Sequence, residues 1–296
     1  MSPPSRSKST AKRRAVVVLG MHRSGTSALT RVLGMGGAAL PKTPLDTSEF
    51  NARGYYESTP ILDLHEEMLG ALGTSWHDLS PLAEGWERSG LVAQFVERMA
   101  EVVLDEFGNA PLIAVKDPRI CRLVPFWIQV LGALEVDPCF VIPIRNPLEV
   151  SASLARSEGV DEQRGRLLWL QHVLCAERDT RGKPRTFVTY DQLLTDWRSV
   201  VERISGDLDL AFPRMGRRAE AEIDDFLTDT LRHHISPSEG IKVRADVGEW
   251  VRKAYAWTQR ASKVSAGGKK LSAKALDSIA AAFGAAEEAF GPVVAS

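Results

Sequence analysis

The sequence predicts an α/β fold in which helices flank a parallel β-sheet of the P-loop type. Four short apolar runs are each followed by a segment with helical spacing of apolar residues. Alternation of strand and helix implies right-handed crossovers and therefore a parallel sheet. The first apolar run also opens into a glycine-bounded loop, and two others end at charged residues. The 296 residues suit a single large domain of this class.

The composition is that of an ordinary soluble globular protein. Hydrophobic residues make up 44% of the chain, charged residues make up 25%, and the net charge is −1. This balance argues against broad nucleic-acid binding, and no apolar stretch is long enough for a membrane span. Cys121, Cys139 and Cys175 lack metal-ligand spacing, so we expect no metal site and a cytoplasmic protein. Residues 1–14 are predicted to be a disordered basic tail.

The first element, residues 15–31, predicts an anion site. The β-branched run 16–19 is typical of a buried strand, and Gly20 and Gly25 allow close backbone approach to a ligand. A helix beginning at Thr26 would present unpaired backbone N–H groups and the positive end of its dipole. The loop side chains and the first helical hydroxyls add further contacts, so the candidate ligands of a phosphate or sulfate are His22, Arg23, Ser24, Gly25, Thr26 and Ser27.

This loop departs from the Walker A motif at one position. Walker A reads G-x-x-x-x-G-K-[ST], and here Thr26 stands in place of the lysine while Arg23 supplies a cation inside the loop. A nucleotide triphosphatase without that lysine lacks the group that reaches the β- and γ-phosphates. The alternative interpretation is a plain strand-to-helix turn with no ligand.

A second element, residues 111–119, predicts a short strand that delivers charged side chains. The apolar run 112–115 ends at Lys116 and Asp117, with Arg119 close behind. In open α/β sheets ligands bind outside the carboxyl ends of the strands. Two alternatives stay open: Asp117 is a Walker B carboxylate, or Lys116 and Asp117 form an ion pair at the rim.

A third element, residues 139–153, predicts another strand followed by a capped helix. The apolar run 139–144 ends at Arg145, and Asn146 with Pro147 is typical of a helix start. Ser153 would then lie about two turns into that helix. A guanidinium and a hydroxyl in this arrangement can hold a phosphate.

A fourth element, residues 50–58, combines a predicted turn with two tyrosines and Glu57. A glutamate here is a candidate general base, although a lone glutamate is usually a solvated surface charge. Other candidates for the base are nearby: Asp46, Glu49, His65 and His77.

The remaining chain is predicted to continue the alternation of helices with one further strand. That strand covers residues 186–189 and is followed by Tyr190. Apolar residues at three- and four-residue spacing predict the helices, which cover residues 26–34, 60–72, 91–107, 121–134, 161–180 and 274–290.

Taken together, these elements resemble the PAPS-dependent sulfotransferases, where PAPS is 3′-phosphoadenosine 5′-phosphosulfate. The loop resembles their 5′-phosphosulfate-binding loop, and R-N-P with the following serine resembles their 3′-phosphate motif. The resemblance is nearer to the tyrosylprotein and carbohydrate branches than to the cytosolic small-molecule branch. It implies that Arg145 and Ser153 bind the 3′-phosphate and that Tyr190 lies near the adenine. It also implies that Lys116 and Arg23 stabilise charge during transfer while Glu57 acts as the base.

The resemblance extends to domain organisation and partners. It implies one domain over residues 15–296, with an acceptor-cleft insert at about residues 36–110 and a helical tail at about residues 261–296. The acceptor would be a small molecule, a glycan or a peptide, PAP would be the product, and no metal would be needed. Two other classes remain: a deviant P-loop kinase or NTPase, and a non-catalytic nucleotide-binding protein of the same fold.

Overall fold

The centre of the protein is a parallel β-sheet whose four strands end at one common edge. A computed structural model describes residues 12–48, 53–227, 241, 244, 246–264, 268 and 271–294. Within them the strand order is β2-β1-β3-β4, with β1 at Arg13–Val18, β2 at Leu112–Lys116, β3 at Val136–Ile144 and β4 at Arg185–Thr189.

The register brings the predicted site residues to that edge. Val18 of β1 lies opposite Lys116 of β2, and Ile144 of β3 lies opposite Thr189 of β4. Lys116 therefore ends one strand, while Arg145 and Tyr190 directly follow two others. The predicted α/β fold with a parallel sheet is confirmed, and its carboxyl edge is where ligands bind in such sheets.

Both faces of the sheet are covered, which explains why β1, β2 and β3 contain continuous apolar runs rather than an alternating pattern. Along β1, Ala15 and Val17 contact one hydrophobic core, while Val16 and Val18 contact the other. Helices that contribute to the first core include α2 (Thr59–Ala71), α3 (Gly90–Phe107), α4 (Ile120–Ala133), α5 (Pro147–Glu158) and α6 (Glu162–Asp179). Helix α1 (Thr26–Met35) covers the second core.

Most predicted elements up to residue 195 match the structure within one or two residues. The strand after α6 is β4, and it leads directly into α7 (Tyr190–Thr195). The chain then continues through three helices for which the sequence analysis made no prediction, α8 (Trp197–Leu208), α9 (Arg217–Phe226) and α10 (Glu249–Ala261). The terminal helix was predicted and is α11 (Lys274–Val294).

The N-terminal boundary differs slightly from the prediction. Strand β1 begins at Arg13, so residues 13 and 14 belong to the sheet rather than to the predicted tail. The Arg13 guanidinium donates to the carbonyl oxygens of Gly108 and Ala110, which ties this end of the strand to the segment before β2. Residues 1–11 of the predicted tail lie outside the described residues, as does Glu49. Among the helices that the structure describes, none is long and apolar enough to cross a membrane.

Candidate active site

The loop between β1 and α1 has a backbone that only a few residue types adopt easily. Gly25 precedes the first residue of α1 with φ of 84°. A Cβ at this position would lie 2.2 Å from Cδ2 of Tyr190, so the glycine is required by packing as well as by backbone angle. Arg23 also has a positive φ, 67°, which costs a non-glycine residue about 1–2 kcal/mol. Strain of this kind concentrates at functional sites.

The loop contains an unsatisfied buried donor that suits an anionic ligand. Ser24 is 2% exposed, and its hydroxyl has no hydrogen-bond partner among the described residues. A buried hydroxyl left unpaired carries a free-energy cost, which a bound oxyanion would remove. The first N–H groups of α1 face the same loop and have no partner within the helix. These groups suit an oxyanion, and Thr26 and Ser27 stand at the start of this helix.

Arg145 reaches back from β3 to the same loop. Asn146 caps α5 by accepting a hydrogen bond from the Leu148 N–H at 3.0 Å. This cap fixes the chain so that the Arg145 Nη1 donates to the carbonyl oxygen of Arg23 at 3.0 Å. Its Nε donates to Glu149 at 2.9 Å, and its guanidinium lies 4.7 Å from the centre of the Tyr190 ring.

Ser153 joins this group from the second turn of α5. Its Oγ accepts a hydrogen bond from the Nε of Arg23 at 2.9 Å. The structure thus brings together Arg23, Arg145, Ser153 and Tyr190, which come from three separate sequence motifs. In this conformation the Arg23 side chain is directed to Ser153, and its predicted role at the transferred group stays a prediction.

Lys116 places a second cation at the start of α1. Its Nζ donates to the Oγ of Ser27 and to the carbonyl oxygen of Tyr55, both at 3.2 Å, and forms an ion pair with Glu57. Lys116 is 4% exposed and Glu57 is 3% exposed. A lysine from the neighbouring strand thus contacts the first turn of α1, next to Thr26, which stands at the Walker A lysine position.

Glu57 is delivered to this place by the start of α2. Ser58 caps that helix by accepting from the Ile61 N–H at 3.3 Å, and the Leu45 N–H donates to the Glu57 carbonyl at 2.7 Å. Burial raises the pKa of Glu57 above its usual value, and the Lys116 charge offsets part of this rise. A carboxylate with a raised pKa is a stronger base than an exposed one.

Asp117 is fully occupied by buried partners. Its Oδ1 accepts from the backbone N–H of Arg119 at 2.8 Å and from the Arg119 Nη1 at 3.1 Å. Its Oδ2 contacts Nδ1 of His65 at 3.2 Å. Although burial opposes it, the Arg119 and His65 contacts hold the pKa of Asp117 well below its usual value. Both oxygens of this carboxylate are thus engaged by protein groups, whereas a Walker B aspartate binds Mg²⁺.

The other candidate bases are placed less favourably than Glu57. His65 is 0% exposed, and its Nε2 accepts from the Trp127 indole at 2.8 Å, so both ring nitrogens are engaged. Asp46 and His77 are exposed, and His77 contacts the hydroxyl of Ser75 at 3.3 Å.

His22 packs against Trp76, one of the aromatic residues that the sequence places around the predicted acceptor cleft, although the contact itself was not predicted. Its ring centre is 4.5 Å from that of Trp76, and its Nε2 has no partner among the residues described. Burial, assisted by the Arg119 charge, lowers the pKa of His22 well below its usual value. Arg122 and Gln171 hold the segment that carries Trp76 by donating to the carbonyl oxygens of Ser80 at 2.9 Å and Leu79 at 2.7 Å.

The solved structures that resemble this chain include two sulfotransferase domains. The sulfotransferase domain from the curacin biosynthetic pathway matches with a TM-score of 0.48 and 16% identity, covering 83% of this chain and 98% of that one. The sulfotransferase domain from the Synechococcus PCC 7002 olefin synthase matches with a TM-score of 0.47 and 19% identity, covering 86% of this chain and 98% of that one. No protein-family model matches the sequence, and no curated protein matches it.

Proposed function

We propose that the protein is a sulfotransferase that moves a sulfuryl group from PAPS to a hydroxyl or amine acceptor. The observation that carries this proposal is the position of a guanidinium and a hydroxyl beside the loop. Arg145 and Ser153 come from β3 and α5, yet both bond directly to Arg23 of the loop. Ordinary nucleoside triphosphates have no 3′-phosphate, so a guanidinium and a hydroxyl at this place favour a nucleotide that has one.

Different residues of the loop and its surroundings would bind different parts of the donor. The unpaired hydroxyl of Ser24 and the N–H groups of α1 would hold the 5′-phosphosulfate. Arg145 and Ser153 would hold the 3′-phosphate, since a guanidinium can clamp two phosphate oxygens. The Tyr190 ring packs on both Gly25 and Arg145 and would flank the adenine. When bound, PAPS supplies the activated sulfuryl group.

Glu57 and Lys116 form the part of the site that would act on the acceptor. Glu57 takes the proton from the acceptor hydroxyl or amine onto a carboxylate oxygen, and its raised pKa suits this role. The Lys116 ammonium, held at Ser27, stabilises negative charge that develops beside the N-terminus of α1. As in phosphoryl transfer, positioning and electrostatic stabilisation account for most of the rate gain.

The geometry disfavours the deviant-kinase alternative. A P-loop kinase or NTPase holds Mg²⁺ through a Walker B aspartate. Here both carboxylate oxygens of Asp117 are bonded to Arg119 and His65. The non-catalytic alternative shares the two anion subsites but predicts that Glu57→Gln alters nothing beyond ligand affinity.

The aromatic side chains Trp76 and Tyr55 suit several classes of acceptor. Trp76 packs against His22 of the loop, and the Tyr55 hydroxyl lies 2.6 Å from that of Ser48. Flat aromatic surfaces of this kind bind the faces of sugars and aromatic rings alike. A small molecule, a glycan or a peptide therefore remains the proposed acceptor class.

Transfer of label from radiolabelled PAPS tests the proposal. The acceptor set consists of phenol, an aliphatic alcohol and an amino sugar, and each is incubated with wild type, Lys116→Met and Lys253→Met. Lys253 is a matched control because it is an exposed lysine paired with Glu249 on α10. We expect label transfer by wild type and Lys253→Met, and at least about a hundredfold less by Lys116→Met. Hydrolysis of Mg·ATP without binding of PAP would instead support the kinase alternative.

A further inference from the structure

Helix α2 and the turn between β2 and α4 are joined by three polar pairs. Glu57, just before α2, pairs with Lys116. Farther along the helix His65 bonds to Asp117, and Glu66 pairs with Arg119. All three partners on the turn lie within residues 116–119. Glu57 and Lys116, the two groups proposed to act on the acceptor, therefore belong to segments that are fixed to each other at more than one point.

The central pair continues into the core as a chain of hydrogen bonds. The indole Nε1 of Trp127 donates to Nε2 of His65 at 2.8 Å, so this nitrogen must carry its lone pair. The proton of the neutral ring is then on Nδ1, which donates to the carboxylate of Asp117 at 3.2 Å. The direction of both bonds is thus determined by the indole, which can only donate.

This chain of hydrogen bonds lies in the protein interior. Trp127, His65 and Asp117 are each 0% exposed, and each polar group in it has a partner. In a medium of low dielectric constant, breaking one link leaves buried groups unpaired, so the arrangement resists displacement. Its members come from α2, α4 and the turn after β2, and the chain holds these three segments in one relative position.

We infer that His65 is a positioning residue for the transfer site. Through Trp127 and Asp117 it holds α2 against the end of β2, and so keeps Glu57 in contact with Lys116. This inference rests on the proposed function, because the contact matters for rate only if Glu57 and Lys116 act on the acceptor. A misplacement of about 1 Å at such a site can cost about a hundredfold in rate.

A set of single and double variants distinguishes the positioning of Glu57 by His65 from a general loss of structure. His65→Phe keeps a ring of similar size and removes both hydrogen bonds, and His65→Asn retains a donor toward Asp117. His172→Phe is the matched control, since His172 is also 0% exposed and its hydrogen bond to the Leu168 carbonyl, at 2.8 Å, lies within α6. The turnover number for transfer from radiolabelled PAPS to phenol is measured for each variant, with and without Glu57→Gln.

We expect His65→Phe to lower turnover about tenfold to a hundredfold and His65→Asn to recover part of the loss. In the Glu57→Gln background the same substitution should have almost no further effect, because the residue that it positions is already gone. An equal loss in both backgrounds, or the same loss from His172→Phe, would overturn the inference.

A second measurement does not depend on turnover. The titration of Glu57 is followed by nuclear magnetic resonance on protein with isotope-labelled glutamate carboxyls, the signal being assigned by its absence in Glu57→Gln. We expect His65→Phe to shift this titration and His172→Phe to leave it unchanged, while both variants bind PAP as wild type does. An unshifted titration in His65→Phe would overturn the inference even if transfer to phenol proves unmeasurable. Absence of PAP binding by wild type would instead count against the proposed function.

Discussion

Replacing Lys116 by methionine tests the buried ion pair from which the proposed chemistry follows. Methionine retains most of the side-chain volume and removes the ammonium. In the structure that ammonium contacts Glu57, the Ser27 hydroxyl and the Tyr55 carbonyl. Lys116 and Glu57 are each less than 5% exposed. Removing one member of a buried pair costs about 3–5 kcal/mol in free energy of unfolding, because the other charge is left uncompensated.

The loss of unfolding free energy in Lys116→Met should increase with pH. Burial already raises the pKa of Glu57, and Lys116 opposes this rise. Without Lys116 the pKa rises further in the folded state, while the unfolded value stays near 4.3. A folded pKa above the unfolded one gives stability that is present below the unfolded pKa and is lost as pH rises through the folded pKa. Lys116→Met should therefore be least destabilised in mildly acidic solution.

Urea unfolding between about pH 5 and pH 8 measures this dependence, with Lys253→Met as the exposed control. The double variant Lys116→Met with Glu57→Gln should recover most of the lost stability and show no such pH dependence, because no unpaired carboxylate is left. A Lys116→Met variant as stable as wild type at every pH would refute the reasoning. Loss of stability that persists unchanged in the double variant would refute it as well.

Three further predictions concern Asp117, Gly25 and Ser153. Asp117→Ala should lower the free energy of unfolding near neutral pH by about 3–5 kcal/mol. The partners of Asp117 hold its pKa low, so urea unfolding should show that the difference from wild type shrinks as pH falls below about 3.9. Gly25→Ala should lower the melting temperature measured by circular dichroism, since its Cβ would lie 2.2 Å from the Tyr190 ring; an unchanged melting temperature would contradict this packing. Ser153→Ala removes the group that accepts from Arg23, so calorimetry should show about tenfold weaker binding of PAP and little change for 5′-AMP.

The sheet, the loop before α1 and the capped start of α5 could be predicted because they depend on local signals. Apolar runs of strand length, the glycine at position 25 and the Asn146 cap are features of the sequence within a few residues. The parallel arrangement then followed from alternation of strand and helix, and it brought Lys116, Arg145 and Tyr190 to one edge.

The remaining features depend on contacts between distant parts of the chain. Nothing near Ser27 indicates that its hydroxyl accepts a hydrogen bond from Lys116, 89 residues later. The chain from Trp127 through His65 to Asp117 likewise joins three segments, and in the sequence His65 was only one of several candidate bases. Trp76 could be identified as an aromatic residue, but its packing on His22 depends on side chains from α4 and α6.

The central claim is that the site recognises a nucleotide with a 3′-phosphate. Calorimetric titration of wild type and Arg145→Ala with PAP, 5′-AMP and Mg·ATP tests it most directly. A hydrogen bond to a charged group is worth about 1.5–3 kcal/mol, so wild type should bind PAP about tenfold to a hundredfold more tightly than 5′-AMP. Arg145→Ala should lose most of that preference. Tight binding of Mg·ATP with equal affinity for PAP and 5′-AMP would contradict the account.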